Sequence, residues 1–267
     1  MVVDGLRVKL ASMGSGPPLV LLHGLMGTHA YWLPLADRLA RSHTVVLADL
    51  PGHGASDPLR PFSFGRCAEL VAAACERIGV EQPLVAGHSL GSAVAVHWAS
   101  QQPLAGLMPI SPIGGAPLQV EVPRWEVPLG RVLLGCLPLW EWVALRRGIV
   151  RSLVFGTFVG MQLLDGLDAE MGRDLLRGAV GTGEVVTDLL GPLDGLDLRS
   201  LAERVDVPAV VVWGERDSLG AASGPGLAEA LRAQSVVIPA AGHMPMLESP
   251  YALRAAFRQL SRLSLPA

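Results

Sequence analysis

Short apolar runs that are followed by a glycine, a proline or a polar residue recur along this chain of 267 residues. Six of them predict strands, at 18–22, 44–48, 84–86, 107–110, 209–213 and 235–238. Each run is continuous rather than alternating, which is typical of strands buried on both faces of a parallel sheet. Stretches with helical spacing at 31–41, 64–78 and 92–98 lie between the early runs. This order predicts an α/β fold with a doubly wound, mostly parallel sheet, whose strand ends share one edge.

The alternation of strands and helices breaks between the runs 107–110 and 209–213. Residues 112–198 contain no clear strand, are dense in Gly, Pro, Trp and Leu, and include helical stretches at 132–145, 148–164 and 168–180. We therefore expect a helical cap inserted between core strands, which divides the chain into a core part (1–111), the cap (112–198) and a second core part (199–267). Trp125 and Trp140 of the cap are candidates for the wall of a substrate pocket; packing of the cap onto the core is the alternative role.

The composition restricts the classes of partner. Half of the residues are hydrophobic and 17% are charged, which suits a large buried core. A net charge of −3 without a long basic run argues against a nucleic-acid partner. The longest apolar stretch, 132–140, is too short to span a bilayer, so we expect no stable membrane association. The composition leaves the oligomeric state open.

Cysteine and histidine usage predicts a cytoplasmic location and neither metal nor cofactor. The first residues show no basic segment followed by an apolar one, so we expect no secretory leader. The three cysteines, an odd number without metal-ligand spacing, are typical of a reduced protein. No histidine pair has convincing metal-ligand spacing with a carboxylate, and no phosphate-binding glycine motif is present.

The most informative motif is Gly87-His88-Ser89-Leu90-Gly91, which follows one predicted strand and precedes a predicted helix. A serine in this setting lies on a sharp turn, and the flanking glycines leave room for the backbone. The helix that begins there points unpaired N–H groups toward the space above the serine. The backbone N–H groups of Leu90 and of Leu25, in the loop after the first predicted strand, are candidate donors to an oxyanion.

A base and an acid follow later strands. Asp217 comes after 209–213 and His243 after 235–238, so both lie on the same sheet edge as Ser89. Histidine titrates near neutrality and can accept a proton and return it. Asp206 and Glu215 are rival acids, but Asp217 follows its strand by a short loop, as such an acid should.

With a serine, an acid and a histidine in this order, the chain resembles the α/β-hydrolase fold superfamily, in particular small bacterial serine hydrolases with a helical cap. The resemblance implies that Ser89 is the nucleophile, His243 the general base and acid, and Asp217 the residue that orients the imidazole. Physical reasoning agrees, because a serine hydroxyl attacks well only when a nearby base takes its proton. Met26, His88 and Met244, which adjoin these motifs, are further candidate pocket residues.

The expected activity is cleavage of an ester or thioester of a small, largely apolar molecule through an acyl-enzyme. Hydrolysis of a carbon–carbon bond, perhydrolysis without a cofactor, and lyase or cyclase steps are compatible with the same residues. A small-molecule receptor built on a hydrolase scaffold is the alternative from a different class. We also expect His23 and His53 to hydrogen-bond to the backbone.

Overall fold

The described part of the chain forms a seven-stranded sheet with helices on both faces. The structure, a computed structural model, describes residues 1–116 and 186–264. The strands are β1 (Val2–Val3), β2 (Leu6–Arg7), β3 (Leu10–Met13), β4 (Pro18–Leu22), β5 (Thr44–Ala48), β6 (Leu84–His88), β7 (Gly106–Ile110), β8 (Val210–Gly214) and β9 (Gln234–Ile238).

The sheet order is β3-β5-β4-β6-β7-β8-β9, and β1 pairs with β2 in a separate antiparallel ribbon. β3 is antiparallel to β5, whereas the other neighbours in the sheet run parallel. The predicted doubly wound, mostly parallel sheet is therefore confirmed. Consequently β4, β6, β8 and β9 all end at the same edge, where the candidate residues follow them.

The helices, numbered along the described residues, fill the connections. They are α1 (Leu33–Leu39, preceded by a 3₁₀ turn at His29–Trp32), α2 (Phe64–Glu76), α3 (Leu90–Gln101), α4 (Val186–Leu193), α5 (Arg199–Ala202), α6 (Ser218–Ala230), α7 (Pro245–Glu248) and α8 (Pro250–Ser264). Helix α2 begins where Ser63 caps it, its hydroxyl accepting the N–H of Arg66 at 3.2 Å.

Two hydrophobic cores, one on each face of the sheet, explain the continuous apolar runs. Alternate strand residues such as Val20 and Leu22 pack in one core with α2 and α3. Their neighbours Leu19 and Leu21 pack in the other core with α1 and α8. A strand covered on both sides has no polar face, so its sequence does not alternate.

The three N-terminal strands were not predicted. β3 has the sequence Leu-Ala-Ser-Met, lies at the sheet edge and is only partly buried, so it carries no continuous apolar signal. β1 and β2 have two residues each, and only Val3 of the four is buried. These strands are identified by backbone pairing rather than by side-chain pattern.

Most of the predicted cap lies outside the described residues, including Trp125, Trp140 and the three predicted cap helices. The division into 1–111, 112–198 and 199–267 stays a prediction. Its described ends lie side by side, because the N–H of Leu198 donates to the carbonyl of Gly114 at 2.7 Å. β7 and β8, which flank the insertion in the chain, are neighbours in the sheet. Within 1–116 and 186–264, no helix is long and apolar enough to cross a membrane.

Candidate active site

Ser89 occupies the predicted sharp turn between β6 and α3. Its backbone angles are φ 51° and ψ −114°, a conformation that a residue with a side chain rarely adopts. The flanking glycines permit it: a Cβ on Gly87 would lie 2.0 Å from the carbonyl oxygen of Gly91. A Cβ on Gly91 would lie 2.5 Å from the carbonyl oxygen of His23. The strand, the turn and the helix therefore pack too closely for any larger residue at either position.

The loop after β4 lies directly against this turn. A Cβ built on Gly24 would come within 3.1 Å of the Cβ of Ser89. Leu25 is exposed, and the half-buried Met26 has φ 60°. Neither the N–H of Leu25 nor that of Leu90 donates a hydrogen bond to another described residue. The two segments that meet at Ser89 therefore each carry one backbone N–H without a described acceptor.

Asp217 and His243 form a direct pair. Oδ1 of Asp217 accepts from Nδ1 of His243 at 2.9 Å and from the N–H of Gly220 at 3.0 Å, where it caps α6. Burial by itself raises the pKa of Asp217, but the hydrogen bond and charge of His243 outweigh it and hold the pKa below its usual value. The carboxylate therefore stays ionised and accepts from Nδ1, which leaves Nε2 of the same ring for other chemistry.

The rival carboxylates lie elsewhere. Glu215 is exposed and accepts the N–H of Ala240 at 2.9 Å. The side chain of Asp206 is fully exposed, 3.7 Å from Arg232. The structure thus brings Asp217, and neither rival, to His243.

Contacts from other elements hold the backbone of His243. The carboxylate of Glu248, at the end of α7, accepts the N–H of Gly242 at 2.6 Å and the N–H of Met244 at 3.0 Å. Nε2 of His88 donates to the carbonyl of His243 at 2.7 Å. Sequence reasoning missed Glu248 because its role depends on the turn that brings it back to the histidine, and no motif marks that turn. Met244, a predicted pocket residue, is buried.

His88, another predicted pocket residue, lies in the interior with both ring nitrogens engaged by the protein. Nδ1 is 3.1 Å from the hydroxyl of Tyr31, and the ring centroid is 4.9 Å from that of His243. Burial lowers the pKa of His88 to about 3, so its ring is neutral at ordinary pH. The histidine next to the serine therefore connects the turn to the loop of His243.

Ser111, at the end of β7, is a residue that sequence reasoning missed. Its hydroxyl and Oδ2 of Asp217 are both buried without a well-aligned hydrogen bond. The two groups are nevertheless near enough for Ser111 to contribute to the lowered pKa of Asp217. Only the fold could show this, since a strand that is distant in sequence supplies the hydroxyl.

The predicted roles of His23 and His53 are confirmed. Nδ1 of His23 donates to the carbonyl of Gly24 at 2.8 Å, and its Nε2 accepts the N–H of Leu50 at 2.9 Å. His53 contacts the carbonyl of Pro51 at 3.3 Å. Burial lowers the pKa of His23 to about 4 and that of His53 to about 3. No group of three or more potential metal-ligating side chains occurs in the part of the chain that the structure describes.

The parallel sheet with a strained serine turn and an aspartate–histidine pair at its carboxyl edge defines the α/β-hydrolase fold. A sequence profile of the alpha/beta hydrolase family matches residues 19–256. The chain belongs to this family.

Named relatives show the range of this family. The chain is 32% identical over 251 residues to a pimeloyl-[acyl-carrier protein] methyl ester esterase from Chromobacterium violaceum, covering 91% of this chain and 93% of that protein. It is 31% identical to a dihydrolipoyllysine-residue acetyltransferase component of an acetoin cleaving system from Pseudomonas putida, covering 92% of this chain and 64% of that protein. The crystal structure of the enol-lactonase from Burkholderia xenovorans LB400 superposes with a TM-score of 0.75 at 21% identity, covering 97% of this chain and 98% of that one. At that identity the likeness shows the fold alone.

Proposed function

We propose that this protein is a serine hydrolase that cleaves a carboxylic ester through an acyl-enzyme. The observation that carries the proposal is the buried Asp217 held 2.9 Å from Nδ1 of His243 at the sheet edge where Ser89 occupies its strained turn. A histidine whose Nδ1–H is fixed by a carboxylate presents a basic Nε2. A basic Nε2 can take the proton of a nearby hydroxyl, and Ser89 carries the hydroxyl that we propose.

In the acylation step, Nε2 of His243 takes the proton of Ser89 as Oγ attacks the ester carbonyl carbon. The carbonyl oxygen becomes an oxyanion, which accepts from the N–H groups of Leu25 and Leu90. Donors that lack a protein acceptor before the reaction need no reorganisation when the charge develops, and each typically contributes roughly 2.7–4 kcal/mol. His243 then gives its proton to the departing alcohol, and an acyl group remains on Ser89.

In the deacylation step, a water molecule loses a proton to His243 and attacks the same carbonyl carbon. The second oxyanion uses the same donors, and its collapse returns the proton to Ser89 and releases the acid. Asp217 stabilises the imidazolium that forms in both halves of the reaction. The proposed cycle uses no cofactor or metal.

The substrate class we propose is the ester of an apolar acyl group with a small alcohol. Its support is the 32% identity, over nearly the whole chain, to the methyl ester esterase from Chromobacterium violaceum. Met26 follows Leu25, in the loop that carries a proposed oxyanion donor, and Met244 follows His243. Both side chains can supply apolar contacts to an acyl chain. Trp125 and Trp140 stay predicted pocket residues, and the cytoplasmic location stays a prediction.

The proposal is tested by Ser89→Ala with p-nitrophenyl and methyl esters of graded acyl length. We expect kcat to fall by about 10⁴- to 10⁶-fold, because the other groups have no nucleophile to assist. Ser100→Ala, half-buried near the other end of the same helix, is the matched control and should keep full activity. Circular dichroism of both variants checks that the fold is intact.

A fluorophosphonate probe separates an enzyme from a receptor on the same scaffold. Covalent labelling of the native protein, lost in Ser89→Ala and kept in Ser100→Ala, is the expected result. Tight binding of a small molecule without labelling of Ser89 and without ester turnover would overturn the proposal and favour a receptor.

A further inference from the structure

A series of hydrogen bonds, buried except for its partly buried last member, joins the loop of Leu25 to the loop of His243. The N–H of Gly24 donates to the hydroxyl of Tyr31. This hydroxyl lies 3.1 Å from Nδ1 of His88, and Nε2 of His88 lies 2.7 Å from the carbonyl oxygen of His243. Tyr31 and His88 are 2% and 4% exposed, so bulk water has little access to either residue.

The partners fix the direction of every bond in this series. A carbonyl only accepts, so Nε2 of His88 carries the proton and Nδ1 of the neutral ring is an acceptor. The hydroxyl of Tyr31 must then donate to Nδ1, and its oxygen lone pair receives the N–H of Gly24. Each donor and each acceptor is used once. All of these bonds can form together only while the ring of His88 is neutral. Burial and the neighbouring His243 favour the neutral form by lowering the pKa of His88.

This series of hydrogen bonds ends at the two loops of the proposed catalytic site. Gly24 directly precedes Leu25, whose N–H is a proposed oxyanion donor, and His243 is the proposed base. A Cβ on Gly24 would lie 2.8 Å from Nδ1 of His88 and 3.1 Å from the Cβ of Ser89. The oxyanion loop therefore packs against the same histidine that holds the backbone of His243, and displacing that histidine displaces both.

We propose that Tyr31 and His88 are positioning residues that couple the oxyanion loop to the histidine loop and set the two in register with Ser89. The inference rests on the proposed hydrolase function, since it assigns these residues to the same site. No described hydrogen bond joins either side chain to Oγ of Ser89 or to Nε2 of His243. Filling space would not require them, because a phenylalanine at either position would pack without needing buried polar partners.

The test removes the links one at a time. Tyr31→Phe deletes the hydroxyl and keeps the ring, His88→Phe deletes both nitrogens, and His88→Gln keeps an N–H donor for the carbonyl of His243. We expect kcat for a p-nitrophenyl ester to fall about tenfold in Tyr31→Phe and in His88→Phe with KM within about twofold, since tenfold corresponds to about 1.4 kcal/mol of barrier. His88→Gln should recover part of the loss. The double variant should be no worse than the poorer single variant, because the links act in series.

Two further measurements separate positioning from general destabilisation. The matched control is Tyr251→Phe, an exposed tyrosine on α8, which should leave kcat unchanged. The amide NMR signal of Met244 reports on the carbonyl of His243 that precedes it, so it should shift in Tyr31→Phe although the altered hydroxyl bonds to His88 and not to that loop. If His88→Phe does not fold, Tyr31→Phe and His88→Gln carry the same test.

Full kcat in Tyr31→Phe and His88→Phe would overturn the proposal, as would a double variant whose losses multiply or a Met244 signal that does not move. Failure of the proposed function looks different. In that case the native protein is not labelled at Ser89, and the Met244 signal alone then decides whether the two loops are coupled.

Discussion

Replacing Asp217 by asparagine separates its charge from its geometry. In the structure Oδ1 accepts from both Nδ1 of His243 and the N–H of Gly220, so an asparagine must place its oxygen there and its NH₂ toward Ser111. The N–H donor of His243 is then kept and only the charge is lost. Two unit charges about 4 Å apart attract by about 4 kcal/mol at an effective dielectric constant of ~20, which corresponds to a limit of about 10³-fold in rate.

Solvent reduces this limit, because the side chain of His243 is 24% exposed whereas that of Asp217 is 2% exposed. We therefore expect Asp217→Asn to lower kcat for a p-nitrophenyl ester by about 10²- to 10³-fold. Asp217→Ala removes the acceptor as well and should lose about 10⁴-fold. Steady-state kinetics at neutral pH and the burst of p-nitrophenol measure both effects.

Asp206, a rival carboxylate with a fully exposed side chain, supplies the matched control. Asp206→Asn makes the same chemical change at a fully exposed side chain that precedes β8, whereas Asp217 follows the end of that strand, so it should leave kcat unchanged. Equal losses in Asp217→Asn and Asp217→Ala would refute the argument that the carboxylate oxygen is held by two donors. An asparagine variant within about threefold of the native rate would refute the role of the charge.

Two further predictions concern stability. Gly87→Ala places a Cβ 2.0 Å from the carbonyl oxygen of Gly91, so the free energy of unfolding should fall by at least about 1–3 kcal/mol in urea titrations; an unchanged midpoint would contradict the packing. His23, His53 and His88 are kept neutral by burial, with pKa values of about 4, 3 and 3. Because the unfolded chain takes up their protons below about pH 6.5, each should cost up to about 1.4 kcal/mol of stability for each pH unit from there toward pH 4. The Tm should therefore fall between pH 7 and pH 5, and an equal Tm at the two values would contradict it.

The core strands could be predicted because burial on both faces leaves a direct mark in the sequence. β4 and β5 have the predicted bounds, and the predicted serine turn has the φ above zero that its glycines accommodate. β3 escaped prediction because an edge strand with small, partly exposed residues has no such mark. Burial is not the only source of such a mark, because β9 lies at the other edge of the sheet with Val237 48% exposed, yet its apolar run predicts a strand at 235–238.

The supporting contacts of the candidate site could not be predicted, for a different reason. Asp217 and His243 follow strands and can be placed by counting from them. Tyr31 lies in a 3₁₀ turn and Ser111 follows a strand that carries no acid, and each acts on an atom far away in the sequence. Glu248 ends a short helix and accepts from amides four and six residues before it, through a turn that no motif marks. Their partners depend on how loops cross the sheet edge, which no local spacing encodes.

Buried, neutral histidines join neighbouring loops at the carboxyl edge of the sheet. Loops that leave the ends of parallel strands carry backbone N–H and C=O groups that no neighbouring strand satisfies. A neutral imidazole supplies one donor and one acceptor at opposite sides of a stiff ring, so it can join two loops at once. His23 does this between Gly24 and Leu50, and His88 does it between Tyr31 and His243. Protonation removes the acceptor in each case, so acid that destabilises the fold must also separate the loops that hold the proposed base and the proposed oxyanion donors.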